Sequence, residues 1–169
     1  MKVYIGKYPK DPSKERKINV RIDRWDTWSM DQTLAPIILP MLKQLKRTKH
    51  GSPCEMPAFA YESNQHPQIC FDFYSDGDVL AWDNGHKQWE EVMDKMIWSF
   101  EQHQSDWEEQ YHSGDRDLVM EDVPGTDLVE VKHGKNHTHK FDFDGYKKHL
   151  EKIREGFELF GKHYMSLWD

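Results

Sequence analysis

The chain is poor in the features that announce a reaction. It has two cysteines, Cys54 and Cys70, at a separation that matches no metal-ligand spacing, which suits free thiols in a reducing cytoplasm. No apolar h-region follows Met1, and no run approaches the length that spans a bilayer, so neither a secretory leader nor a membrane anchor is expected. Positive charge is also short. The formal net charge is −7, which argues against general nucleic-acid binding. There is no Gly-x-Ser-x-Gly elbow, no P-loop, no dinucleotide glycine fingerprint and no pair of His-x-Thr/Ser tripeptides. Asp72, Asp76 and Asp78 flank a glycine, but the longer ligand series of a calcium loop, ending in Glu, is missing.

What is present is aromatic. Hydrophobic residues make up 37% of the 169 positions, yet aromatics reach 13%, with seven tryptophans. A chain of this length, read as one domain over residues 1–169, buries roughly 70% of its unfolded surface. Its core should therefore be small and rich in rings.

Patterning supplies the elements. Residues 18–23 alternate apolar and polar, the period of a half-buried strand, and can pair antiparallel with 3–6 across a polar loop. Ser29 and Gln32 have the spacing of a capping box. Behind them Leu34, Ile37, Ile38, Met41, Leu42 and Leu45 form a helical stripe. Pro36 and Pro40 fall inside it, each costing roughly 3 kcal/mol in a helix interior, so a kink or a break and restart at Pro36 is expected. The helix ends in Lys43, Lys46, Arg47, Lys49 and His50 before Gly51 and Pro53.

Further on, 69–74 and 79–82 read as a hairpin about a Ser-Asp-Gly-Asp turn. A helix follows from about 86 to 111 on the stripe Trp89, Met93, Met96, Phe100, His103, Trp107 and Tyr111. Residues 118–120 and 128–131 read as strands about Val123-Pro124-Gly125. The turn 133–136 then predicts a second hairpin into 138–143. A last helix begins at Asp144 and carries Tyr146, Leu150, Ile153, Phe157, Phe160, Tyr164 and Leu167. It should pack on both earlier helices. The expected class is α+β, with three main helices on antiparallel hairpin sheets.

Two constellations could carry chemistry. Arg21, Arg24, Trp25, Trp28, Lys49 and His50 combine stacking faces with cations, the combination that holds a small anionic or nucleotide ligand. His133, His137 and His139, with Asp142 or Asp144, could offer nitrogens to a transition metal. No other cofactor is implied.

The segment VRIDRWDTWSMDQTLAPIILPMLKQLKRTKHGSP, with WEEVMDKMIWSFEQ and the closing GFELFGKHYMSLWD, resembles small proteins encoded by T4-like tailed phages. The resemblance implies a viral origin and the host cytoplasm as the setting, and supplies no catalytic residues. Three functions follow as expectations. The first is an accessory protein that sequesters a small nucleotide-type ligand near Trp25, Trp28 and the basic helix exit, in an anti-defence role. The second is a protein–protein inhibitor or structural module that presents an acidic helical face to a host protein. The third is a metal-dependent enzyme built on the histidine hairpin. Homo-oligomerisation would suit the first two, because so aromatic a chain exposes apolar surface.

Overall fold

The computed structural model describes residues 1–53 and 76–168, with backbone alone over 76–83. The architecture is α+β, and the described residues form three long helices and three two-stranded antiparallel sheets. β1 (Lys2–Ile5) pairs with β2 (Ile18–Arg21), in the arrangement that the alternation predicts. A 3-10 turn, Arg24–Thr27, then leads into α1 (Met30–Thr48). α2 (Asp76–His103) is followed by a 3-10 turn, Trp107–Tyr111. The strands β3 (His112–Ser113), β4 (Leu118–Asp122), β5 (Val129–His133) and β6 (Lys140–Phe141) come next. α3 (Phe143–Lys162) closes the fold, with a short 3-10 turn at Tyr164–Ser166.

α1 is continuous through Pro36 and Pro40, so the break and restart does not occur. The two prolines leave the carbonyls of Gln32 and Pro36 without their helical donors, and packing on the other side of α1 offsets that cost. The buried face is rotated from the expected stripe. Ala35 and Leu42 are buried, with Ile38, Leu39 and Leu45 packed beside them, whereas Leu34 and Met41 are exposed. Ser29 is the N-cap residue but makes no side-chain cap bond. Its carbonyl instead accepts from Thr33 Oγ1 at 3.1 Å. The reciprocal carboxylate–amide contact lies one turn earlier, where Asp26 Oδ2 accepts from the Asp23 amide at 2.7 Å.

The hub of the structure is α2, against which α1 and α3 both pack. Its stripe is as predicted at Trp89, Met93, Met96 and Phe100, all buried, with Ile97 and Ser99 added. Phe100 meets Phe157 and Phe160 edge to face, at 4.9 and 5.2 Å between centroids. The 79–82 segment expected as a strand is instead the first part of α2. Trp82 lies seven residues before Trp89, in phase with the helical stripe, and a four-residue apolar run cannot by itself choose between the two periods. Its expected partner, 69–74, lies outside the described residues, as do Cys54 and Cys70. The helix also stops earlier than expected, at His103, so Trp107 and Tyr111 belong to the turn that packs on α3.

β4 and β5 pair in the predicted place. The turn has Gly125 at φ +81, and the Thr126 amide donates to the Val123 carbonyl at 3.2 Å. Pro then Gly at its centre is the combination that a positive third φ demands. The second hairpin does not form. β6 pairs with β3, His112 opposite Phe141 and Ser113 opposite Lys140, rather than with β5. Phe143 already belongs to α3, whose cap is Asp142 rather than Asp144, its Oδ1 accepting from the Gly145 amide at 3.0 Å. Among the described residues no helix is long and apolar enough to cross a membrane.

Candidate functional site

The six residues of the expected ligand site divide between the two ends of α1. Trp25 and Trp28 stand on the turn before it, 67% and 82% exposed, with centroids 6.1 Å apart and planes tilted by 59°. The Arg24 guanidinium lies 5.1 Å over the Trp25 ring. Arg21 ends β2, opposite Lys2. Asp26, in the same turn, accepts from the Met1 ammonium at 2.8 Å. That bond holds the Asp26 carboxyl below its ordinary range.

Lys49 and His50 follow the other end of α1. A 19-residue helix is about 28 Å long, so they cannot share a small ligand with the tryptophans. Three lysines of this exit face α2 instead. Lys43 pairs with Glu101 at 2.6 Å, Lys46 with Asp94, and Lys49 with Glu90 at 3.2 Å. The order runs backwards because the helices are antiparallel. Three carboxylates of the acidic α2 face are thereby engaged within the chain.

The histidines gather more tightly than the spacing predicted, and with a fourth member, His112, that β3–β6 pairing brings in. His133 and His137 stack at 3.8 Å and 5°. His137 Nδ1–H donates to the Asp117 carbonyl at 3.0 Å. His112 Nδ1 lies 2.9 Å from both Arg116 Nη2 and His139 Nε2. A guanidinium nitrogen can only donate, so His112 Nδ1 is the acceptor and His139 Nε2 carries its proton toward it. Parallel rings present parallel lone pairs, and among the described residues no three His, Cys, Asp or Glu side chains are arranged to hold a metal ion. Asp142 is occupied as a helix cap. Burial lowers the pKa of His139, and the Arg116 guanidinium and the neighbouring histidines add to the shift.

One ordered polar group went unread in the sequence. His149 of α3 stacks on Trp107 at 4.5 Å and 16°, with Trp98 5.1 Å away. Its Nε2 lies 3.0 Å from Gln102 Oε1 and its Nδ1 2.9 Å from the Tyr111 hydroxyl. Gln102 Oε1 can only accept, so His149 Nε2 carries a proton, and Gln110 Nε2, 3.5 Å from Nδ1, can only donate, so Nδ1 is the acceptor and the ring is neutral. Beside it, Gln32, His103, Trp107, Glu108, Leu150 and Ile153 help line a cleft of about 400 Å³. Desolvation, then Lys152, lowers the His149 pKa. The sequence signal for this group is the aromatic stripe itself, which does not distinguish packing from hydrogen bonding.

The linkage sign for these two imidazoles is definite. Both take up a proton less readily when folded, so the unfolded chain binds more protons below its ordinary value of about 6.5. The stability they contribute is complete above that pH and declines as pH falls through it toward the lowered folded values. The expected result is a melting temperature that drops on acidification from about pH 7.5 to about pH 5, with a shallower slope in His149→Gln. A flat profile would remove this account.

Comparison of the chain with protein-family models, with curated proteins and with solved structures gives no match.

Proposed function

We propose that the chain is a non-enzymatic interaction protein that works by docking a protein partner onto its two projecting hairpins. The observation that carries this reading is the pair of uncovered apolar sheet faces. Register places Val3, Ile5, Ile18 and Val20 on one face of β1–β2, and Leu118, Met120, Val129 and Val131 on one face of β4–β5. All eight side chains are exposed. A lone two-stranded hairpin is marginal in water, and contiguous exposed apolar surface of this kind is the mark of an association site. The opposite face of β4–β5 is polar, with Lys132 bridging Glu121 at 2.7 Å and Glu130 at 3.3 Å. Each hairpin therefore has a wet side and a dry side.

The reading keeps the protein–protein role expected from the sequence, and moves the docking surface from the acidic helix face to the hairpins. A photocrosslinking residue placed at Ile18 or at Met120 in expressing cells should give discrete adducts, and one placed at the exposed Gly161 should not. Loss of adducts at both hairpin positions removes the reading.

A second reading keeps the nucleotide ligand but confines it to one end of α1. Trp25 and Trp28 offer exposed ring faces beside Arg24 and Arg21, and a base stacked on an indole gains about 1–3 kcal/mol. The test is quenching of tryptophan fluorescence by mononucleotides. Quenching that survives Trp28→Ala and Arg24→Ala together would place any ligand elsewhere.

A further inference from the structure

We infer that the partner of these hairpins is a second copy of the chain, with β1–β2 of one protomer packed on β4–β5 of the other and the reverse contact completing a two-fold dimer. The inference rests on the interaction reading above and names its partner.

Three observations select this occupant. The first is that neither hairpin is covered by another described element. Among the described residues β1 and β2 pack chiefly on each other, as do β4 and β5, and neither hairpin packs extensively on a helix or on the other hairpin. The second is shape and size. The face Val3, Ile5, Ile18 and Val20 is 40–62% exposed, and the face Leu118, Met120, Val129 and Val131 is 50–74% exposed. Aliphatic sheet faces of this kind pack face to face, about 10 Å apart. Summed over both hairpins, the exposed area of these side chains is on the order of 750 Å² per protomer, close to the roughly 800 Å² per partner of a standard stable interface. A reciprocal contact uses all of it on both copies, as a closed two-fold interface requires.

Charge is the third observation, and it decides which face meets which. Residues 1–24 hold eight lysines and arginines against three carboxylates, whereas residues 115–133 hold six carboxylates against two cations. Like-with-like pairing would set a basic hairpin against a basic one and an acidic against an acidic one. Pairing β1–β2 with β4–β5 sets opposite signs around a dry centre, the arrangement that favours encounter and register. Lys2 and Arg21 lie on the back of the first hairpin, and Glu121 and Glu130 on the back of the second. The centre itself is free of charge except for Asp122 and His133 at the two ends of the β4–β5 face.

The test uses the full chain and two single variants, Val20→Glu and Met120→Lys. Both positions are exposed, so circular dichroism should show both variants folded. Wild type should sediment at twice the 20.3 kDa chain mass, and each variant alone should self-associate roughly a hundredfold or more weakly, because an unpaired charge is desolvated at the contact. An equimolar mixture should regain the dimer. The carboxylate introduced in one copy then faces the ammonium introduced in the other at one contact, and the second contact is unaltered. In a mixture of isotopically light and heavy protein, each carrying a photocrosslinking residue in place of Met120, that residue should join β1–β2 of the other copy. A wild-type monomer at micromolar concentration, variants that dimerise like wild type, or adducts that join β4–β5 to itself would each overturn the inference. A monomer whose hairpins crosslink to a different protein in cells would end the second-copy assignment and leave the interaction reading standing. A monomer without adducts would end both.

Discussion

Replacing Gly156 by valine is expected to cost several kcal/mol and to prise α3 from α2, with the loss already visible in Gly156→Ala. Gly156 is buried in α3 where α2 comes closest. A Cβ built there would stand 2.5 Å from the Lys95 carbonyl oxygen, closer than that to Ser99 Oγ, and 2.7 Å from Ser99 Cβ. The hydroxyl could turn away, although Ser99 is fully buried and its Oγ donates to the Lys152 carbonyl at 3.4 Å. The Lys95 carbonyl belongs to the helix backbone and cannot move without shifting α2. Alanine would otherwise gain about 1 kcal/mol over glycine in a helix interior. Overpacking typically costs about 1–3 kcal/mol and occasionally more, and the rigid Lys95 carbonyl puts alanine toward the upper end, so the steric term wins for alanine and wins by more for the bulkier valine. Thermal melts of the two variants check this. Equal or higher stability in Gly156→Ala would mean that the helices can separate at little cost, and the packing described for α2 and α3 would be wrong in detail.

That contact also marks where the sequence stops being readable. A glycine inside a clean helical stripe reads as a weak point, and nothing local says that a second helix approaches it. The elements with strong periods were legible: β1–β2 from alternation at 18–22, the α2 stripe from Trp89 to Phe100, the β4–β5 turn from Pro124-Gly125. The α3 cap is ambiguous in sequence because Asp142 and Asp144 both precede the stripe, two residues apart, and only the Gly145 amide decides between them. The turn at 133–136 advertises a local hairpin for β6, whereas the actual partner, β3, lies beyond the whole of the β4–β5 hairpin. The candidate site was dispersed for a related reason. Trp28 and Lys49 flank one helix in sequence, and a helix converts that flanking into distance. The histidine group went the other way. Its fourth member, His112, entered through the unanticipated β3–β6 pairing, and the hydrogen bonds that set the tautomers are invisible to spacing.

Phe100→Ala is expected to destabilise the chain by about 3–5 kcal/mol, or on the order of 10 °C in melting temperature at this chain length. Phe100 is buried and meets two rings of α3 edge to face. Such contacts add about 0.5–1.5 kcal/mol each beyond the area they bury. Truncation would also leave a cavity between helices that Met93, Met96 and Ile97 cannot fill without leaving their own packing. The informative comparison is the triple variant Lys43→Gln, Lys46→Gln, Lys49→Gln, which dismantles the ion-pair ladder between α1 and α2. The Lys49 side chain is largely covered, but all three carboxylate partners reach water, at 42–61% exposed, and pairs so screened contribute about 0–1 kcal/mol each. One aromatic ring should therefore outweigh three salt bridges, and the triple variant should melt within a few degrees of wild type at moderate salt. If instead the triple variant fell as far as Phe100→Ala, the helices would be held by charge. The acidic face of α2 would then be structural cement, with its carboxylates committed to α1 rather than open to a partner.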